Sequence, residues 1–237
     1  MSKLRQRKHC QKWQKPSWAT AISLQRLRRL SSARVSSRSA KKDKNMILKA
    51  CQERVSMRGI ERIFSVARQQ VAVWIREHVQ DLPPLRTTLL PAEAGNILEF
   101  DEAWCFVLKK ANKRWLWTVM CRQTRQIIAF TIGDRSEKTC RRLWGKIPAE
   151  YQTGTLYSDF WKAYQQVLPH KQHQAVGKES GQTNHMERWY CTLRQRVPRY
   201  VRKTLSFSKS DAYHHMFTKW FIYDYNLAIQ ELSSLTL

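Results

Sequence analysis

Ile97-Leu98-Glu99-Phe100-Asp101-Glu102-Ala103-Trp104 is an apolar stretch with three acids set into it. Its β-branched and aromatic residues predict a strand over 97–108, and two further stretches of the same texture predict strands over 114–122 and 126–133. Separators such as Lys110-Ala111-Asn112-Lys113 read as hairpin turns. Downstream, Ser136 stands as an N-cap before a helix over 136–147, with Glu137 and Lys138 behind it. A short strand over 155–158 follows, then a helix over 160–167, a short strand within 171–176 and a loop over 177–182. Helices over 183–197 and within 209–232 close the chain.

Three strands, a helix, a strand and then helices is the order of an α/β core of the RNase H-like, retroviral-integrase type. The order alone is weak evidence, and the positions of the acids sharpen it. Asp101 lies in the first strand, Asp159 closes the fourth in Leu156-Tyr157-Ser158-Asp159-Phe160-Trp161, and Glu187 begins the later helix in Thr183-Asn184-His185-Met186-Glu187-Arg188-Trp189. In this topology the first and fourth strands are neighbours, so Asp101 and Asp159 point into one site and the helix brings Glu187 alongside. Clustered carboxylates repel one another and call for a cation. Hard oxygen ligands suit Mg²⁺ or Mn²⁺, and two such ions activate a water or a 3′-hydroxyl and stabilise the departing oxygen.

Taken singly, an aspartate at a strand end is ordinarily a turn former or a helix cap. Capping accounts for Asp134, which precedes a helix start. Glu102 is the rival to Asp101: strand side chains alternate faces, so only one of the two adjacent acids is expected to look into the site. Glu99 shares the parity of Asp101 and stays open on that ground. Arg194 lies two helical turns beyond Glu187, on the same face, where a cation meets DNA phosphate. Arg188 and Arg196 point elsewhere, and Arg188 is read as a backbone-phosphate contact. His185 has no second His or Cys at ligand spacing and makes a poor metal ligand.

Among 237 residues the net charge is +25, which points to a polyanionic partner, nucleic acid before anionic membrane. Residues 1–90 hold 21 Lys/Arg against 5 Asp/Glu, and the first acid is Asp43. Residues 1–42 therefore read as a basic, disordered arm. From Asp43 the texture changes. Met46, Ile47, Ala50, Cys51 and Val55 recur at helical spacing, 58–64 forms a second helix, Ser65-Val66-Ala67 a turn, and 68–79 a third helix with Val71, Trp74 and Ile75 inward. Residues 43–80 thus read as a helix-turn-helix whose third helix offers Arg68, Gln69, Gln70 and Arg76 to phosphates and base edges. Pro83, Pro84 and Pro91 mark a linker over 81–95, and the catalytic domain takes 96–237. The six cysteines form no C-x-x-C pair, which argues against a zinc ribbon or a secreted disulfide framework. No apolar run approaches the roughly 20 residues of a membrane span, and the basic N-terminus lacks a signal-peptide core. The expected location is a reducing prokaryotic cytoplasm, beside the nucleoid and away from membrane.

Asp101-Glu102-Ala103-Trp104, Lys113-Arg114-Trp115-Leu116, Ser158-Asp159-Phe160-Trp161-Lys162-Ala163-Tyr164 and Glu187-Arg188 through Leu193-Arg194-Gln195 together resemble the DDE transposases of the insertion-sequence-one family. Arg202-Lys203-Thr204-Leu205-Ser206-Phe207-Ser208-Lys209-Ser210 is similar to that family's R-K-x-L-S-F-S-K-S stretch, an unusually specific motif for its length. The resemblance covers about residues 97–230. It implies metal-dependent cleavage at element ends and strand transfer by the exposed 3′-hydroxyl. It assigns the catalytic, metal-holding triad to Asp101, Asp159 and Glu187, Arg194 to the basic position after the glutamate, and Arg202 and Lys203 to DNA. Trp104 and Trp161 pack under the site or stack on an unpaired base. The implied partners are the terminal inverted repeats, target DNA and further copies of the chain on DNA. One departure is that the family begins with a four-cysteine zinc finger, where only His9 and Cys10 stand here. A shifted reading frame over about 10–40 would account for this, and the nucleotide sequence tests it. Two other readings share the features: an RNase H-like nuclease or integrase with the same acids, and a helix-turn-helix DNA-binding regulator whose carboxylates are structural.

Overall fold

The computed structural model describes residues 37–201, 203 and 205–235. Most of the basic arm, the question of its reading frame and Arg202 lie outside the described residues. Residues Lys44–Leu237 form one compact unit.

The sheet has five strands: β1 Ile97–Phe106, β2 Lys113–Cys121, β3 Ile127–Gly133, β4 Thr155–Ser158 and β5 His173–Ala175, in the order β3-β2-β1-β4-β5. β1, β2 and β3 are antiparallel, whereas β4 and β5 lie parallel to β1. Two hairpins explain the first half, because short turns join antiparallel neighbours. A parallel strand needs a helical crossover, and α4 Glu137–Trp144 and α5 Lys162–Val167 occupy the two connections. Ser136 caps α4 as expected, its Oγ accepting from Thr139 N. Asp134 serves the same helix start, accepting from the hydroxyls of Ser136 and Thr139.

The period-two pattern of the strands sorts two cores. Leu98, Phe100, Trp117 and Val119 pack with Cys140, Leu143 and Tyr164 of α4 and α5. Ala103, Cys105, Leu116 and Met120 pack with α6 Asn184–Arg196, through Met186, Tyr190 and Leu193, and with α7 Asp211–Ser234, through Phe221 and Ile222. The chain is an α/β fold, with helices covering both faces of a mixed sheet.

Ahead of the sheet stand α1 Ser37–Gln52, α2 Met57–Phe64 and α3 Arg68–Asp81. α1 begins at Ser37, earlier than the change in charge at Asp43 suggests. Ser56 caps α2 by accepting from Gly59 N, and Ser65 closes it in the left-handed region at φ 55°, which turns the chain into α3. Their core of Ile47, Leu48, Ile60, Val71, Ile75 and Val79 is completed by Phe217 and Trp220 of α7. Residues between α3 and β1 are tied down along part of their length. Leu85–Thr88 is a 3₁₀ turn, Thr88 is fully buried and accepts from Asn226 Nδ2 at 3.1 Å, and Leu90 O accepts from the Tyr151 hydroxyl.

Candidate active site

β4 pairs with β1 only through Ile97, Leu98 and Glu99. β1 then continues to Phe106 with nothing on that edge from β4, while the chain leaves β4 at Ser158. This difference in length opens a notch. Asp101 and Glu102 sit on the uncovered part of β1, and Asp159 stands at the carboxyl end of β4. The first turn of α6 supplies Glu187. The resulting cavity has a volume of about 440 Å³ and is lined by Asp101, Glu102, Asp159, Glu187, Arg135, Arg194, Trp104 and Trp115, among others. The three acids singled out in the sequence, and Arg194, are thus brought to one place.

α6 is fixed against the sheet beside them. Met186, Trp189 and Leu193 are buried, and the Tyr190 hydroxyl donates to Asp101 O at 3.0 Å and shares a 2.6 Å hydrogen bond with Thr118. Glu99 completes the attachment from below. Its carboxylate is fully buried, accepts from Arg122 Nε at 2.7 Å and from Met186 N, and lies 2.6 Å from His185 Nδ1. Glu99 therefore anchors the start of α6 and does not line the cavity. His185 belongs to this anchor, in keeping with its poor fit as a metal ligand.

Asp101 and Glu102 do point to opposite faces, but the expectation that only one meets the site does not hold. At the open edge the cavity reaches around β1, and both acids line it. Their surroundings differ. Asp101 Oδ1 accepts from Glu102 N at 2.7 Å. Burial, followed by the charges of Glu102, Asp159 and Glu187, pushes its carboxyl up to about 7. Glu102 is also raised by burial, against the pull of hydrogen bonds from Tyr164 and Arg135. The Tyr164 hydroxyl donates to Glu102 Oε2 at 2.7 Å, and Arg135 Nε donates to Oε1 at 2.7 Å. Asp159 Oδ1 accepts from Trp161 N at 3.0 Å, and Glu187 is exposed at the mouth.

Among the described residues no three His, Cys, Asp or Glu side chains are gathered closely enough to hold a metal as placed. The donor set is nevertheless of the kind a hard divalent cation takes, namely carboxylate oxygens in a cavity where negative charge is incompletely balanced. Asp101, Asp159 and Glu187 are the candidates. Of these, Glu187 is exposed and the Asp159 side chain keeps 44% of its exposure.

The remaining predicted residues lie elsewhere. Arg68, Gln69, Gln70 and Arg76 are exposed on α3, and Arg68 pairs with Glu61 at 2.9 Å. Arg188 and Lys203 are exposed. Arg196 pairs with Glu53, away from the cavity. Sequence reasoning missed Arg135. Its guanidinium carbon lies 3.8 Å from the ring centre of Trp161 and 4.6 Å from that of Trp115, and it ion-pairs with Glu102. A cation directly after a strand-terminating aspartate was the available signal, and only Asp134 of that pair drew notice.

Residues 96–227 match the family model described as IS1 transposase. The insertion element iso-IS1n protein InsB of Shigella dysenteriae is 38% identical over 126 residues, which is 53% of this chain and 93% of that protein. The IS1 protein InsB of Shigella flexneri is 35% identical over 116 residues, 49% of this chain and 86% of the relative. An IS1 InsB of Escherichia coli K12 is 34% identical over 116 residues, 49% of this chain and 67% of the relative. The sheet, the carboxylate cavity and α6 all fall inside the matched span, and the chain belongs to the IS1 transposase family.

Proposed function

We propose that this protein cleaves DNA at insertion-element ends and transfers the freed 3′-hydroxyl into target DNA, using Asp101, Asp159 and Glu187. One observation carries the reading: three acids from segments far apart in the chain line a single cavity, and Asp101 feels the charge of the other two. The strand order β3-β2-β1-β4-β5, three antiparallel strands followed by two parallel ones, supports an RNase H-like core. The tight turn between α2 and α3, with four exposed polar or basic residues along α3, supports a helix-turn-helix that reads the terminal repeats.

Mg²⁺ or Mn²⁺ held by Asp101, Asp159 and Glu187 would supply Lewis-acid activation of the attacking oxygen and charge stabilisation at the leaving one. The chain contributes the geometry. The Tyr190 hydroxyl on Asp101 O and the anchor at Glu99 hold β1 and α6 together, which keeps the segments that carry Asp101 and Glu187 beside one another. Arg194, its guanidinium carbon 5.7 Å from the Tyr190 ring centre, stands on the α6 wall where a phosphate backbone would pass. Each strand-transfer event needs two element ends, so copies of the chain assemble on DNA.

The test uses duplexes carrying the terminal repeats that flank the coding sequence. Wild-type protein with Mg²⁺ or Mn²⁺ should cleave the ends and join a pre-cut end to a second duplex. Asp159→Asn should bind the same duplex and do neither. Hydrolysis without joining would make the protein a plain nuclease. Undiminished activity in Asp159→Asn would refute the carboxylate assignment.

A further inference from the structure

Glu102 and Arg135 form a unit the family reading does not use. Glu102 has a side chain only 1% exposed. Both of its oxygens are occupied, Oε2 by the Tyr164 hydroxyl and Oε1 by Arg135. A metal ion would have to displace one of these partners to reach it, at the cost of leaving a buried donor unpaired. Glu102 lines the same cavity as Asp101, yet its bonding makes it an anchor.

What it anchors is a guanidinium held against two indole rings and a carboxylate. Trp161 covers one face of Arg135 and Trp115 lies against it at 4.6 Å, while Glu102 takes the Nε edge. Flat contact with indole rings, with Nε and Nη2 of one guanidinium both directed at Glu102 Oε1, is an arrangement that arginine supports and lysine does not. Among the described residues the hydrogen bonds of Arg135 all go to Glu102. Its nearest other charge is Asp159 Oδ2 at 3.9 Å, beyond hydrogen-bonding distance. The side chain keeps 32% of its exposure, and it lines the cavity. A cation pre-set in this way, with N–H groups to spare beside the acids, has the chemistry to grip an oxyanion.

We infer that Arg135 contacts the phosphate of the DNA strand undergoing reaction, and that Glu102 is its positioning carboxylate and not a metal ligand. This rests on the carboxylate reading above. It adds to that reading a second phosphate contact in the cavity that Arg194 also lines, and it assigns the metal to Asp101 in preference to Glu102. No covalent step is added: the guanidinium stays protonated and acts by hydrogen bonding.

The experiment uses the full chain and a short duplex spanning the cleavage site. Binding is followed by fluorescence anisotropy in EDTA over a salt series, and cleavage over a Mn²⁺ series. Arg135→Gln should lower the slope of log K against log salt by about 0.9, as expected for one lost phosphate contact. At saturating DNA it should slow cleavage by about 10²–10³-fold. Arg135→Lys should restore the salt slope and leave the rate defect, because charge returns without the planar guanidinium and its several N–H groups. Glu102→Gln should slow cleavage while leaving the Mn²⁺ concentration at half-maximal rate within about twofold of wild type, a shift too small for a lost ligand. Trp115→Leu, which removes one stacking face and no charge, should reproduce part of the rate defect and serves if Arg135→Gln is poorly folded by its melting curve. Wild-type slope and rate in Arg135→Gln would overturn the proposal, as would a Mn²⁺ requirement raised tenfold or more in Glu102→Gln. Asp159→Asn runs alongside. If it cleaves normally, the parent reading has failed, whereas normal Arg135→Gln with inactive Asp159→Asn condemns this inference alone.

Discussion

Asp101 is under two opposed demands. The proposed metal site would need its charge, while the fold, having buried it beside Glu102, Asp159 and Glu187, disfavours that charge and pushes the carboxyl up to about 7. The consequence for stability has a definite sign. A carboxylate whose folded pKa exceeds its ordinary value of 3.8 stabilises the fold fully below that value, and the contribution is lost as pH rises through about 7. Without metal, Asp101→Asn should therefore melt several degrees higher than wild type at pH 8, with the gain shrinking toward pH 4, and it should lose strand cleavage. Thermal melts in EDTA across that range provide the measurement; a variant that melts lower than wild type at pH 8 would contradict the assigned electrostatics. The acids themselves were legible in the sequence because each sits at a strand or helix boundary within a recognisable neighbourhood. The roles of Glu102 and Arg135 were not. They depend on Trp115 of β2 meeting Trp161 and Tyr164 at the start of α5, and no local pattern records such a convergence.

At the scale of elements, the Phe207–Ser210 end of the Arg202–Ser210 motif has a mechanical use. Ser208 O accepts from Leu108 N at 2.7 Å, the Phe207 ring packs at a tilt against Phe106 with centroids 5.5 Å apart, and Ser210 caps α7 by accepting from Tyr213 N. His214, on the first turn of α7, bonds Ser208 Oγ through Nδ1 at 2.9 Å and lies 3.1 Å from Cys105 Sγ of β1 through Nε2. The motif thus fastens the start of α7 to the far end of β1. Burial, and then Arg199, Arg114 and His215, lower the His214 imidazole to about 4 against the opposing pull of Asp211. A histidine depressed in this way contributes stability that is full above 6.5 and lost as pH falls toward 4. His214→Asn should cost about 1–3 kcal/mol at pH 7, for the buried groups left unpaired. It should also flatten the loss of melting temperature between pH 6.5 and 4, and an unchanged acid slope would exclude His214 as its source. The boundaries of α7 and β1 were readable from periodicity, whereas the clasp between them joins residues about a hundred positions apart and was not.

For the whole molecule, the question is how the helices that would choose DNA are coupled to the sheet that would cut it. The sequence reads as two bodies, 43–80 and 96–237, because prolines and a change of texture separate them. That reading captures local composition and misses α7, whose apolar surface runs nearly all round. Phe221 and Ile222 enter the core under the sheet, while Phe217 and Trp220 enter the core of α1–α3. Lys219 Nζ donates to Val79 O and Leu82 O at 3.2 Å each, and Gln52 Nε2 donates to Asp224 Oδ2 at 2.6 Å. One helix therefore belongs to both cores, and neither can melt without exposing part of the other. Trp220, 2% exposed and edge-on to His78 at 5.1 Å, sits at the centre of that junction. Trp220→Ala should cost about 3–5 kcal/mol. On heating, the variant should lose DNA binding and far-ultraviolet ellipticity together, at a lower temperature than wild type but still in a single step. Binding to terminal-repeat duplex that outlasts the loss of sheet signal would show that the two parts unfold independently. In that event α7 would be a tether between two domains, and the long helix would no longer explain how recognition and cleavage keep a fixed geometry.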